Sequence, residues 1–254
     1  MRNELDHGTQ PRSNEAAQCQ FGVVELRRYT LHPGKREALI QLFENHLVDR
    51  HDACDMVAIA HYLDLDSPDS FVWLRGFNDM KTRRDALATF YDQSTTWKEH
   101  RGAANATMID SDNVLLLREA RPGSGFQTYG AARPPIDASD PVAASFAAVT
   151  VFMLQSSPTQ GLLAAFEGEM LPSLRKIASQ VAYYVTEERT NDFPRLPVRE
   201  GEWALVVAGV VPTEEAIESW RRAFEPRHIP SEIATATVSS EVLRLAPAAR
   251  SLLR

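Results

Sequence analysis

Hydrophobic and polar positions alternate with a period of two along several stretches, most plainly in Phe71-Val-Trp-Leu-Arg-Gly-Phe77. Read as a β-strand, this stretch has two faces. Val72, Leu74 and Gly76 make a small aliphatic face, suited to lie under helices. Phe71, Trp73, Arg75 and Phe77 make a large aromatic face that carries a cation, as the wall of a cavity would. Residues 21–31 alternate too, with Glu25, Arg27 and Tyr29 on one face and Val24, Leu26 and Arg28 on the other. Pro33-Gly34 ends that strand. Ala38, Leu39, Leu42, Phe43 and Leu47 then recur at helical spacing and predict an amphipathic helix. An acidic connection follows at 49–55, then a strand at 56–65 and a turn at Asp66-Ser-Pro-Asp-Ser70, with 71–77 as the hairpin partner. Asn78-Asp79 supplies the cap of a helix bearing Leu87, Phe90 and Tyr91. A further helical piece at 95–107 carries Trp97 and His100, and a strand at 112–119 closes the unit. The order β-α-β-β-α-β is that of the ferredoxin-like unit.

Residues 121–145 are rich in Pro, Gly and Ala and read as a linker or surface strap. The pattern then starts again. Phe146-Ala-Ala-Val149 echoes Phe21-Gly-Val-Val24 at an offset of 125, and Phe166-Glu-Gly-Glu-Met170 echoes Phe43-Glu-Asn-His-Leu47. Residues 203–209 take the place of 71–77 at an offset of 132. Thr213 caps a helix with Ile217, Trp220 and Phe224 on one face. Residues 234–245 echo 106–117, and the same offset brings His228 onto His100. Several matches in one order indicate a duplicated unit. The division is a tail at 1–20, a first repeat at 21–120, the linker at 121–145, a second repeat at 146–248 and a C-terminal tail at 249–254. A four-stranded sheet with helices on one face leaves its other face bare. The predicted fold is therefore α+β: two tandem ferredoxin-like units whose antiparallel sheets pack face to face, with a cavity between them.

Charge and composition narrow the function classes. The net charge is −7 without a basic cluster, which argues against nucleic acid or an anionic membrane as partner. No stretch reaches the length of a transmembrane helix. Residues 1–20 are polar and mixed in charge, and read as a disordered tail rather than a signal peptide. Two cysteines, Cys19 and Cys54, make no disulfide framework, and the expected compartment is the reducing cytoplasm. No phosphate loop, no dinucleotide-binding glycine motif and no serine elbow is present, so no cofactor is predicted.

Glu25, Arg27 and Tyr29 on one strand, with Trp73 and Arg75 on another, collect a carboxylate, two guanidinia, a phenol and an indole. An apolar core does not hold unpaired charges cheaply. Either these groups pair as an internal network that fixes the sheet, or they face a ligand. In the second case arginine clamps an oxygen anion, and glutamate or tyrosine moves a proton. The counterparts of Glu25, Arg27 and Tyr29 are Thr150, Phe152 and Leu154, and those of Trp73 and Arg75 are Leu205 and Val207. The second copy has lost the polar equipment. His46, Asp49, His51, Asp52, Cys54 and Asp55 cluster in sequence, but their spacing fits no metal motif and they read as a solvated acidic loop.

Glu25-Leu-Arg-Arg-Tyr29 with Pro33-Gly34, the 71–77 strand, and Asn191-Asp-Phe-Pro-Arg-Leu-Pro-Val-Arg-Glu-Gly201 resemble the NIPSNAP family over about 21–248. The resemblance implies the dimeric α/β-barrel superfamily, which includes cofactor-independent oxygenases, haem-dependent enzymes and isomerases. In that superfamily a histidine of the second helical region reaches the cavity as a base or haem ligand, the place His100 would take. The expected function is a small-molecule enzyme acting on an aromatic or polyketide-like metabolite by cofactor-independent oxygenation, cyclisation or isomerisation. Glu25, Arg27, Tyr29, Arg75 and His100 would be catalytic, and Trp73, Phe77, Trp97 and His61 would hold the substrate. A homodimer is a possible assembly. The alternative is a non-catalytic protein that binds a small molecule or a protein partner.

Overall fold

The computed structural model describes residues 20–128, 130–136 and 145–254. Most of the expected N-terminal tail and part of the linker lie outside the described residues. The first half holds β1 (Val23–Leu31), α1 (Arg36–Leu42), α2 (Val48–Asp52), β2 (Val57–Asp64), β3 (Ser70–Phe77), α3 (Met80–Ala88), α4 (Thr95–Asn105) and β4 (Met108–Glu119). The second half holds β5 (Phe146–Leu154), α5 (Gln160–Ala165), α6 (Leu171–Ile177), β6 (Gln180–Thr186), β7 (Trp203–Val211), α7 (Glu214–Ala223), α8 (Ser231–Ala236) and β8 (Thr237–Pro247). Asp79 caps α3 by accepting from the Thr82 N–H at 2.7 Å, and Thr213 caps α7 through the Ala216 N–H at 3.2 Å. The two echoing segments, Phe43–Leu47 and Phe166–Met170, are both π-helical turns, each joining two helical pieces. The expected acidic connection at 49–55 is helical through Asp52, because Val48 and His51 are buried and extend the apolar stripe.

All strand pairs are antiparallel. Within the halves the strand orders are β4-β1-β3-β2 and β8-β5-β7-β6, and together they form one closed eight-stranded barrel. The closure is made by β2 on β8, with Tyr62 opposite Pro247, and by β4 on β6, with Leu117 opposite Thr186. The sheets are thus joined edge to edge into one wall. Among the described strands no edge is left open, so pairing of this chain with another through a strand edge has no template.

The wall has an inside and an outside, and they reverse the expected roles of the two faces. Val24, Leu26, Val72 and Leu74 point into the barrel, where they meet Val149, Val151, Val206 and Leu245 of the second half in one apolar core. The aromatic and charged face of β1 and β3 points outward, beneath the helices, with Phe43, Leu47, Leu87 and Phe90. The reason is room. An eight-stranded barrel is just wide enough for its side chains to fill, and a lumen shared by eight strands admits small aliphatic groups more readily than a row of indole, guanidinium and phenyl groups. The space between the sheets therefore holds core rather than the expected cavity. Phe126 of the linker and Leu253 join that core, and Arg250 and Ser251 are buried too, so the 249–254 tail docks onto the fold.

Candidate functional site

Strand register makes the first contact. β1 and β3 are neighbours, and Glu25 lies opposite Arg75, Arg27 opposite Trp73 and Tyr29 opposite Phe71. Glu25 is fully buried. Its Oε2 accepts from Arg75 Nε at 2.6 Å and from Arg27 Nη1 at 2.7 Å. Its Oε1 accepts from Nε of Arg83, which descends from α3, at 2.7 Å. Arg83 Nη1 also donates to Asn191 Oδ1 at 3.0 Å and Asp192 Oδ1 at 2.8 Å, both on the loop between β6 and β7. Three buried guanidinia thus face one buried carboxylate and one half-buried one, which leaves an excess positive charge. Burial pushes the Glu25 carboxyl up, but Arg75, Arg27 and Arg83 together outweigh it and hold the group well below the usual carboxylate range. Arg75 also stacks over Trp73 and Phe77, at 5.2 and 5.6 Å from the ring centres.

The excess charge faces an opening. Arg27 Nε donates to the Tyr29 hydroxyl at 2.9 Å, and Arg75 Nη1 makes a longer contact of 3.4 Å with the Tyr91 hydroxyl. Each phenol oxygen thus accepts from an arginine, and neither phenol proton has an acceptor among the described residues. Arg27, Tyr29 and Tyr91 form the inner end of a cleft of about 280 Å³ between the sheet and its helices. Nη2 of Arg27 likewise has no acceptor among the described residues. Trp97, Met108 and Leu196 line the flanks, and Arg101 and Arg195 stand on the outer rim. Burial raises the pKa of Tyr29 against the opposing charge of Arg27, so the phenol keeps its proton at neutral pH.

One wall of this cleft comes from the other half of the chain. The β6–β7 loop leaves the barrel beside β4, where the N–H groups of Glu187 and Arg199 donate to the carbonyls of Leu116 and Val114. Asn191 braces it: its Nδ2 donates to the Leu196 carbonyl at 2.9 Å, and its own N–H to Glu200 Oε1 at 2.9 Å. Phe193 and Arg195 are carried across to the cleft.

Of the residues expected to form a site, Arg27, Tyr29 and Trp97 line this cleft, while Glu25 and Arg75 lie behind it. Trp73 and Phe77 are buried beneath the helices and do not line it. His61 is also beneath the helices, with Nε2 2.8 Å from Glu44 Oε1. His100 stacks on His46 at 4.0 Å and is not in the lining, so its expected place in a cavity between the sheets is not where the fold puts it. His228, which the sequence echo sets against His100, has Nδ1 2.8 Å from the Arg222 carbonyl. His51 is packed between Trp73 and Phe90 with neither ring nitrogen bonded. Among the described residues, no group of three or more metal-ligating side chains comes together. Sequence reasoning missed Arg83, although it falls on the apolar stripe of α3 with Leu87. It also missed Arg101 and Arg195, which nothing in their local sequence distinguishes from solvated surface charges.

The same barrel occurs in a candidate monooxygenase from Fusobacterium nucleatum, with a TM-score of 0.56 at 9% identity over 89% of this chain and 91% of that one. It also occurs in a candidate monooxygenase from Lactobacillus acidophilus, with a TM-score of 0.53 at 11% identity over 90% and 94% of the two chains. An anthrone oxidase-like protein matches with a TM-score of 0.53 at 13% identity over 89% and 91%. At such identities the likeness shows the fold. No curated protein sequence matches the chain. The NIPSNAP family model matches residues 24–120, a narrower span than the 21–248 over which motifs resemble the family. That span runs from β1 to the end of β4 and contains Glu25, Arg27, Tyr29, Arg75, Arg83, Tyr91 and Arg101. It is this first half of the chain, residues 24–120, that is similar to the NIPSNAP family.

Proposed function

We propose that the chain is a small-molecule enzyme that binds a planar aromatic or polyketide-like metabolite in this cleft and stabilises it as an oxygen anion. The observation that carries the reading is the pair of phenols, Tyr29 and Tyr91. Arginine N–H groups occupy their oxygens from behind, and their protons are left to donate. With the unpaired Nη2 of Arg27, they form a preorganised set of donors beside a buried positive excess. A substrate hydroxyl or enolisable carbonyl placed there loses its proton more easily, and the proton leaves through the open mouth. An electron-rich anion of this kind is the reactant for cofactor-independent oxygenation, cyclisation or isomerisation. Glu25 is held as an anion by three arginines, so its part is to position Arg27 and Arg75 rather than to move a proton.

The test uses 2-naphthol as a binding probe and an anthrone as a turnover probe, the latter because one protein of this fold is anthrone oxidase-like. Calorimetry should show 2-naphthol binding that Tyr29→Phe weakens about tenfold, the worth of one good hydrogen bond to an anion. Oxygen uptake with the anthrone should fall in the same variant. Binding without turnover of any probe would favour the non-catalytic alternative. No binding, with Tyr29→Phe indistinguishable from the parent, would mean that the arginine cluster is only a structural network.

A further inference from the structure

The cleft has a second cationic end that the oxyanion reading does not use. Arg101 projects from α4 and Arg195 from the β6–β7 loop, and both line the outer part of the cleft whose inner end is Arg27. Arg101 has no ion-pair or hydrogen-bond partner among the described residues. Arg195 is engaged only at the surface, by Asp92 Oδ1 at 2.5 Å, with both side chains largely exposed, and its guanidinium lies 4.8 Å from the Phe193 ring centre. An exposed pair of this kind is worth little and can exchange partners at small cost. The rest of the lining combines the aromatic and apolar Tyr91, Trp97, Met108, Phe193 and Leu196 with the polar Asn105 and Ser111.

The placing of the outer end is specified by the fold. The connection between β2 and β3 in the first half is a short turn at 65–69, whereas the equivalent connection in the second half spans 187–202. The long loop is pinned through Asn191 and Asp192 to Arg83, the same arginine that holds Glu25 Oε1. The inner cluster and the outer rim are therefore linked by one side chain, and the second copy, stripped of its own charged face, supplies a wall to the first.

We propose that the ligand of this cleft is a planar aromatic acid with two acidic ends: an ionisable hydroxyl against Tyr29 and Tyr91, and a carboxylate at the mouth between Arg101 and Arg195. The inference rests on the oxyanion reading of the inner end and adds the chemistry of the outer one. Arg195 is then a specificity residue contributed by the second half, exchanging Asp92 for the ligand carboxylate when the cleft fills.

The experiment compares 6-hydroxy-2-naphthoate with 2-naphthol by isothermal titration calorimetry, in the parent chain, in Arg101→Gln/Arg195→Gln and in Arg101→Lys/Arg195→Lys. The readout is the ratio of the two affinities in each protein. A carboxylate meeting a guanidinium should make the acid about tenfold or more the tighter ligand in the parent. The ratio should fall to near one in the double glutamine variant and survive in part in the double lysine variant, which keeps the charge. Both positions are exposed, so thermal unfolding should confirm that the variants fold. Equal affinities in the parent, or an unchanged ratio in the glutamine variant, would overturn the inference. The oxyanion reading would still stand if 2-naphthol binding remained sensitive to Tyr29→Phe. Failure of both probes to bind would overturn the inference together with the reading it rests on.

Discussion

Glu25 on β1 and Thr150 on β5 are counterparts in the repeat, both buried on the outer face of the barrel beneath helices. Around Glu25 the space is filled by three guanidinia, and the excess charge opens on a cleft. Around Thr150 it is filled by an indole: Trp220 of α7 is fully buried and donates through Nε1 to Thr150 Oγ1 at 3.0 Å. Gly209, the counterpart of Phe77, makes room for that ring, since a Cβ there would stand 2.3 Å from it. The same scaffold thus supports an electrostatic solution and a packed solution to one space. The packed solution satisfies its polar atoms and carries no net charge. The charged one leaves Arg75 Nη2 and Arg83 Nη2 unbonded among the described residues. Unpaired buried donors cost stability, which suits a site kept for binding better than one kept for support.

Glu25→Gln should give the largest effect. It leaves Arg27 and Arg75 without a counter-charge and Arg83 with only Asp192, and is expected to cost about 3–5 kcal/mol in urea unfolding. A cost under about 1 kcal/mol would mean that water reaches the arginines and that the cluster is less closed than its burial indicates. Next comes Thr150→Val in the packed half. It orphans the Trp220 N–H alone and should cost about 1–3 kcal/mol. If the two variants cost the same, the contrast between the halves is one of composition rather than energetics.

Acid separates the two further. The folded pKa of Glu25 lies below its ordinary value of 4.5, so its contribution is complete above that pH and is lost as the pH falls below it. Glu25→Gln should therefore flatten the loss of stability below pH 4.5, a change Thr150→Val should not make. The smallest expected effect is His51→Phe. Burial, with the charges of Arg75, Arg133 and Arg27, lowers the pKa of His51 well below its ordinary 6.5. The unfolded chain then takes up a proton that the folded one refuses, and stability falls as the pH drops below 6.5. His61, lowered by burial against the pull of Glu44, acts in the same window. Replacing His51 should leave neutral stability within about 1 kcal/mol, since neither ring nitrogen has a partner to lose. The decline between pH 6.5 and 4.5 should become shallower, and a steeper one would show that the ring is charged in the fold.

Much of this was legible in the chain. Period-two alternation in 21–31 and 71–77 marked two strands and sorted their residues correctly onto shared faces. The echo of Phe43–Leu47 in Phe166–Met170 falls on two segments that are both π-helical turns. The absence of counterparts to Glu25, Arg27 and Arg75 in the second half marked the half that carries the buried charged cluster. Alternation states which side chains share a face but not which face looks inward, because both faces of a barrel strand are buried here. The sidedness depended on the width of an eight-stranded lumen, which is a property of all the strands together.

The sequence by itself determined the elements, the echo between the two halves and the composition of the charged face, because these depend on local periodicity and on residue type. The tertiary structure decided that the charged face lies under the helices, that Arg83 completes the cluster and that Phe193 and Arg195 cross from the second half to line the cleft. Those facts depend on contacts between residues more than fifty positions apart. Arg83 meets Glu25 when α3 packs on β1 within the first half, whereas Phe193 and Arg195 reach the cleft only across the join of the two sheets, and no local pattern encodes the closure of a ring.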